Sequence, residues 1–161
     1  MLEVNSTIGN IFDDKAFDEL KKGNFERLII SRMDLEKRIL RKKTDLGTDV
    51  GLNLKPGIKL RHGDIIKNGD KMIVIEQLPE KVISVKIKNK NIIDVMVLLG
   101  HIIGNRHRPI SIHNEEILFP IQADSEKEVF TKLFQSIISH IEITVDEKIF
   151  VPHSGADIHE H

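Results

Sequence analysis

The chain has 161 residues, room for one ordinary domain or two small ones. Hydrophobic residues make up 40% and charged residues 30%, the composition of a folded chain, and 24 basic against 25 acidic residues leave a formal net charge of -1. That balance excludes a global attraction to phosphate backbones or anionic membranes, and the absence of Cys excludes disulfides, thiolate zinc sites, Cys-ligated clusters and a cysteine nucleophile.

The opening stretch MLEVNSTIGNIFDDK mixes polar and acidic residues early and lacks the apolar core of a signal peptide. Strand signals follow. Leu28-Ile29-Ile30 is a short apolar run, and Ile39-Leu40 sits among Arg38 and Arg41-Lys42-Lys43, a basic run that reads as a solvated strand face. Val50, Leu52 and Leu54 alternate with Gly51 and Asn53, the period of a half-buried strand. Turn signals stand at Lys55-Pro56-Gly57, His62-Gly63-Asp64 and Asn68-Gly69-Asp70. Asn68-Gly69, between Ile65-Ile66 and Met72–Ile75, predicts a hairpin. Residues 1–77 therefore read as a small β domain.

Leu78-Pro79-Glu80 breaks that pattern, and residues 78–150 read as a second domain. Ile83, Val85 and Ile87 alternate as a strand. Asn91 is a candidate N-cap for a helix from Ile92 to about Ile103, with Gly104-Asn105 as its stop. That apolar stretch is too short to cross a bilayer. Ile110 and Ile112 mark a strand, turned back by Asn114-Glu115 into Ile117-Leu118-Phe119. Ser125 and Glu128 form a capping-box pattern ahead of a helix with the stripe Val129, Phe130, Leu133, Phe134, Ile137 and Ile138. Ile141, Ile143 and Val145 close the domain as a strand. The order β-α-β-β-α-β is the split βαβ arrangement of ferredoxin-like domains, so the fold class is α+β in two domains. Residues 151–161, VPHSGADIHEH, have no apolar period and read as a flexible tail.

Chemistry concentrates in histidine. Eight are present, and three of them, His153, His159 and His161, fall in the last nine residues. Imidazole suits nickel, zinc and copper(II), so a tail carrying three can wrap an ion whose other ligands sit on the folded body. The plain alternative is a solvated terminus. Gly104-Asn105-Arg106-His107 places a second candidate, His107, just past a helix end, where the negative pole of the helix favours a cation. Most histidines at such positions are surface or capping residues. His62 reads as exposed in its turn, and neither His113 nor His140 stands out. On a continuous helix His101 and His107 would point about 240° apart. Asp45 and Asp49 fit turn and N-cap roles better than a carboxylate pair. No Gly-x-Ser-x-Gly, P-loop, His-Glu-x-x-His or dinucleotide fingerprint is present.

The stretch Arg41-Lys42-Lys43-Thr44-Asp45-Leu46-Gly47-Thr48-Asp49-Val50-Gly51-Leu52, then His62-Gly63-Asp64, then Gly104-Asn105-Arg106-His107-Arg108-Pro109, resembles UreE, the family of urease accessory nickel metallochaperones. The likeness runs in order along nearly the whole chain. It implies an N-terminal β domain similar to the peptide-binding domain of DnaJ-type chaperones, a ferredoxin-like C-terminal domain that forms a homodimer, and a tail that adds ligands. It implies that His107 lies on the two-fold axis and shares one metal with its copy, with His153, His159 and His161 as further metal ligands. The cargo it implies is Ni(II), with Zn(II) or Cu(II) able to bind in vitro. Delivery would go to apo-urease through a complex with the accessory GTPase, in the cytoplasm, without nucleic acid or membrane. The chain departs from some members: Ile102 stands where they carry a second His, no His lies between Ile117 and Gln122, and the tail has three spaced histidines instead of a run. Delivery of few ions follows better than storage. Two rivals are a metalloenzyme, which would need an open metal position and a nearby base, and a peptide- or RNA-binding module with incidental histidines.

Overall fold

A computed structural model describes residues 1–13, 15, 18, 20, 22–88 and 92–154. The fold is α+β with strands predominating, and the chain divides into two units, Met1–Leu78 and the remainder from Pro79.

In the first unit the alternating apolar positions become β1 (Leu2–Val4), β2 (Gly9–Asn10), β3 (Glu26–Ile30), β4 (Ile39–Lys43), β5 (Asp49–Asn53), β6 (Asp64–Asn68) and β7 (Lys71–Gln77), with a one-turn helix α1 (Arg32–Leu35) between β3 and β4. They form a three-stranded sheet, β1-β5-β4, and a four-stranded sheet, β2-β6-β7-β3. Val50 and Leu52 from the first sheet share one core with Leu28, Ile30, Ile66, Ile73 and Ile75 from the second. Burying two facing apolar sheet faces offsets the entropy lost in ordering the strands.

Three expectations shift here. The β6–β7 register pairs Asn68 with Lys71, so the turn residues are Gly69-Asp70 and not Asn68-Gly69. Gly69 has φ +60°, and a two-residue hairpin that needs a positive φ at its first turn position takes glycine there. Asp45 does hold a turn, its carboxylate accepting the Arg27 N–H at 2.8 Å, but Asp49 lies on β5 and pairs with Arg41 at 2.7 Å instead of capping a helix. His62 is half-buried, not exposed: its Nδ1 accepts the Gln77 N–H at 3.0 Å, and its ring lies 5.4 Å from that of Phe12.

The Thr44–Thr48 loop is knotted by polar contacts. Thr44 N–H donates to the Thr48 carbonyl at 2.9 Å, and Thr48 N–H donates to Thr44 Oγ1 at 3.0 Å. The Thr44 hydroxyl in turn donates to Glu26, and Lys71 reaches both Glu26 (3.1 Å) and Thr48 Oγ1 (2.8 Å). These donors, Thr44 first, hold the Glu26 carboxyl below its ordinary pKa.

The second unit runs β8 (Glu80–Ile87), α2 (Ile93–Asn105), β9 (Ser111–His113), β10 (Glu116–Pro120), α3 (Glu126–Leu133), a 3-10 helix (Gln135–His140) and β11 (Ile141–Lys148). Its sheet order is β11-β8-β10-β9, every neighbour antiparallel. Ile83, Val85, Phe119 and Ile141 pack with Val95, Leu99, Ile103, Phe130 and Phe134 from the helices, which cover one face of the sheet. On the other face Val82 and Leu118 lie under Phe150, and the three form a small cluster of their own. β8 is therefore buried from Val82 to Val85 without alternation, as a strand covered on both sides must be.

The helix ends differ from expectation. Asn91 lies outside the described residues, and the N-cap position of α2 is Ile92, with no side-chain bond. The predicted stop Gly104-Asn105 stays helical, and the helix closes at Arg106. The Ser125/Glu128 capping box does not form: Ser125 is itself helical (φ -61°, ψ -21°) and makes no capping bond. Glu126 replaces it, accepting the N–H groups of Gln122 and Ala123. The predicted second helix also ends early, at Leu133, and tightens into the 3-10 turn that buries Ile137. Among the described residues no helix is long and apolar enough to cross a membrane.

Candidate metal centre

The site begins with the amphipathic helix α2. Val95, Leu99 and Ile103 face the core, while Ile93, Met96, Val97, Gly100 and His101 recur at helical spacing on the exposed side. A Cβ added at Gly100 or Gly104 would meet nothing within 4 Å, so packing inside the protomer does not require glycine at either position. The last turn closes with Arg106 N–H on the Ile103 carbonyl (3.1 Å) and His107 N–H on the Gly104 carbonyl (2.9 Å).

His107 then takes φ +51°, the left-handed conformation that usually falls to glycine past a helix end. A side chain there costs about 1 kcal/mol, so the surroundings must hold it. They do so through the next three residues. Arg108 donates to the Pro120 carbonyl at 3.2 Å and pairs with Glu126, and the Ile110 carbonyl accepts the His153 N–H at 2.7 Å. Burial pushes the Glu126 carboxyl up, but the N–H groups of Gln122 and Ala123 and the Arg108 guanidinium outweigh it and leave the pKa lowered. The imidazole of His107 is exposed at the carbonyl end of α2, where a cation is favoured.

The other histidines are scattered. His153 is exposed and anchored by its backbone to Ile110, so the stretch after residue 150 does not start as the loose tail expected from its composition. His159 and His161 lie outside the described residues. His101 sits on α2 with Nε2 3.0 Å from Asn105 Nδ2. His113 is exposed at a hairpin end, and His140 is half-buried. Among the described residues no group of three or more His, Cys, Asp or Glu side chains comes together to hold a metal. Two residues matter to the geometry beyond the sequence reading: Arg108, which stands in the motif of the resemblance without a role of its own there, and Glu126, which the sequence does not single out. The Arg-Pro following His107 and the acid at the first helical position of α3 were the available signals.

A family model described as the N-terminal domain of the UreE urease accessory protein matches residues 4–77. A curated Urease accessory protein UreE from Staphylococcus epidermidis is 33% identical over 117 residues, covering 72% of this chain and 73% of the relative. One from Staphylococcus saprophyticus is 34% identical over 117 residues, 71% of this chain and 74% of the relative. The chain belongs to the UreE family. A further UreE relative, from Streptococcus vestibularis, is 29% identical over 144 residues, 89% of this chain and 91% of its own length. The UreE N-terminal model stops one residue short of the Leu78 boundary between the two units. Matches of 117 and 144 residues are longer than that first unit, so the likeness to UreE extends into the second.

Proposed function

We propose that this chain is a urease accessory metallochaperone, not an enzyme, that carries Ni(II) and delivers it for assembly of the urease active site. The observation that carries the reading is His107, exposed and held in a left-handed turn at the end of a helix whose outer side is apolar. A homodimer forms along that side, with Ile93 and Val97, 74% and 63% exposed, covered by the second copy. The two His107 imidazoles meet on the two-fold axis and bind one nickel ion. His153, His159 and His161 supply further ligands.

In this reading residues 1–77 are the β domain similar to the peptide-binding domain of DnaJ-type chaperones. Residues 78–150 are a ferredoxin-like metal-binding and dimerisation domain, supported by the sheet order β11-β8-β10-β9 in a β-α-β-β-α-β chain. Residues 151–161 are the metal-binding tail. The partners are the accessory GTPase and apo-urease, and the compartment is the cytoplasm. Zn(II) or Cu(II) competes in vitro, because imidazole suits all three ions. No thiolate is offered, so the ion is held and then yielded one imidazole at a time. Binding weakens in acid, because a protonated imidazole has no lone pair to give.

Native mass spectrometry of the whole chain with nickel(II), beside His107→Ala, tests this. The expected result is a dimer with one tight ion that the variant loses. A monomer, or a dimer whose uptake ignores His107, would overturn it.

A further inference from the structure

The chain leaving β11 takes an unusual route. β11 is one edge of the second unit's sheet and β9 is the other. Phe150, two residues past β11, is 3% exposed and packs on Val82 of β8 and Leu118 of β10. His153 N–H then bonds the Ile110 carbonyl, immediately before β9. Residues 149–153 therefore cross the whole face of the sheet that the helices leave open.

The distances leave no slack. Three strand spacings of ~4.8 Å carry the chain about 14 Å sideways, and the register sets Ile110 level with Val145, about 10 Å back along the strands from Lys148, so the diagonal is about 17 Å. Five extended residues reach about 17 Å at ~3.4 Å each. Which residue arrives beside Ile110 is thus fixed by the length of the segment. Beside Phe150 the segment stands over an open groove lined by Ser111, His113, Glu116 and Leu118, and Phe150 is the side chain of the crossing that is buried on the sheet, between the exposed Ile149 and Val151. Ile110 is three residues beyond His107, at most ~11 Å of chain.

We propose that residues 149–153 are a taut strap, pinned by Phe150, that delivers His153 to the His107 turn as a preorganised nickel ligand. This rests on the reading of His107 as a nickel ligand. A ligand held in place loses less freedom on binding than one on a loose tail, so the strap raises affinity without adding a contact. Phe150 and the length of the segment act through His153; they are positioning features and touch no metal.

The test measures nickel(II) affinity of the whole chain by competition with a chromophoric chelator. One variant inserts Gly-Ser after Val151, which keeps Phe150 seated and lets the strap overshoot Ile110. A second is His153→Gln, and a third combines the two. Each single change is expected to weaken binding about tenfold, and the combination no more than either alone, because both remove one contribution. Phe150→Ala gives the same loss and Phe150→Leu retains affinity. An insertion that leaves affinity at the parent value, or a combined loss equal to the sum of the two, overturns the strap. His107→Ala in the same assay separates the two readings: if it binds nickel as the parent does, the carrier reading falls, whereas a loss there with a silent insertion sinks only the strap.

Discussion

Two histidines at turns, one in each unit, are opposites. His62 uses its ring: Nδ1 accepts the Gln77 N–H and the imidazole lies against Phe12, while the neighbouring Gly63 takes the positive φ of +85°. His107 takes the positive φ itself, at +51°, and leaves its ring in solvent. In the first case backbone strain falls on a glycine and the ring is structural. In the second a residue accepts strain that a glycine would relieve, and the ring stays exposed. A histidine's role is read from which part of it the fold consumes.

Substitution at the two positions sharpens that contrast most. His107→Gly is expected to abolish the tight nickel site, a loss of at least a hundredfold, while raising stability by up to about 1 kcal/mol, because glycine is unstrained at this φ. His62→Ala is expected to do the reverse. It removes the acceptor of the Gln77 N–H and costs about 2 kcal/mol of stability with nickel affinity unchanged. Thermal unfolding alongside nickel titration reads both. A destabilised His107→Gly, or a His62→Ala that loses nickel, breaks the comparison.

Gly100 extends the contrast to the exposed side of α2. Glycine within a helix costs roughly 0.5–1 kcal/mol against alanine, and nothing inside the protomer fills the space beside this one. Gly100→Leu is therefore expected to leave the protomer as stable or more so, and to weaken the proposed dimer at least tenfold in sedimentation equilibrium. A leucine variant that dimerises like the parent would remove α2 from the proposed interface, and a parent that sediments as a monomer would remove the dimer itself.

Much of the fold was legible in the sequence, for a physical reason. Period-2 alternation marks strands such as Val50–Leu54, and a 3.6-residue stripe marks α2, because each buries one face. What escaped depended on partners distant in the chain. Ser125 stands at the N-cap position as its pattern predicts, but it makes no capping bond; Glu126 instead accepts the Gln122 and Ala123 N–H groups and pairs with Arg108. Gly104-Asn105 reads as a helix stop, yet the left-handed residue is His107, fixed by contacts of Arg108 and Ile110 made after the turn. The motif around His107 made that residue the candidate. The side chains that hold its turn in place, Arg108 with Glu126, did not announce themselves.

That support gives the smallest effect and the one with a pH signature. Glu126 accepts two backbone N–H groups and pairs with Arg108, and its carboxyl is held below the ordinary value of 4.5 despite burial pushing it up. A carboxyl with a depressed folded-state pKa contributes stability that is fully present above the unfolded value and is lost as pH falls through the folded one. Glu126→Gln is therefore expected to cost about 1–2 kcal/mol at neutral pH, in the range of charge-assisted hydrogen bonds. The gap between variant and parent should narrow below pH 4.5, as the parent's carboxylate is protonated in turn. Denaturant unfolding at pH 7 and at pH 3.5 measures it. A gap that stays constant with pH would mean that Glu126 stabilises by packing alone, and that the His107 turn owes its conformation to Arg108 and Ile110 without the carboxylate.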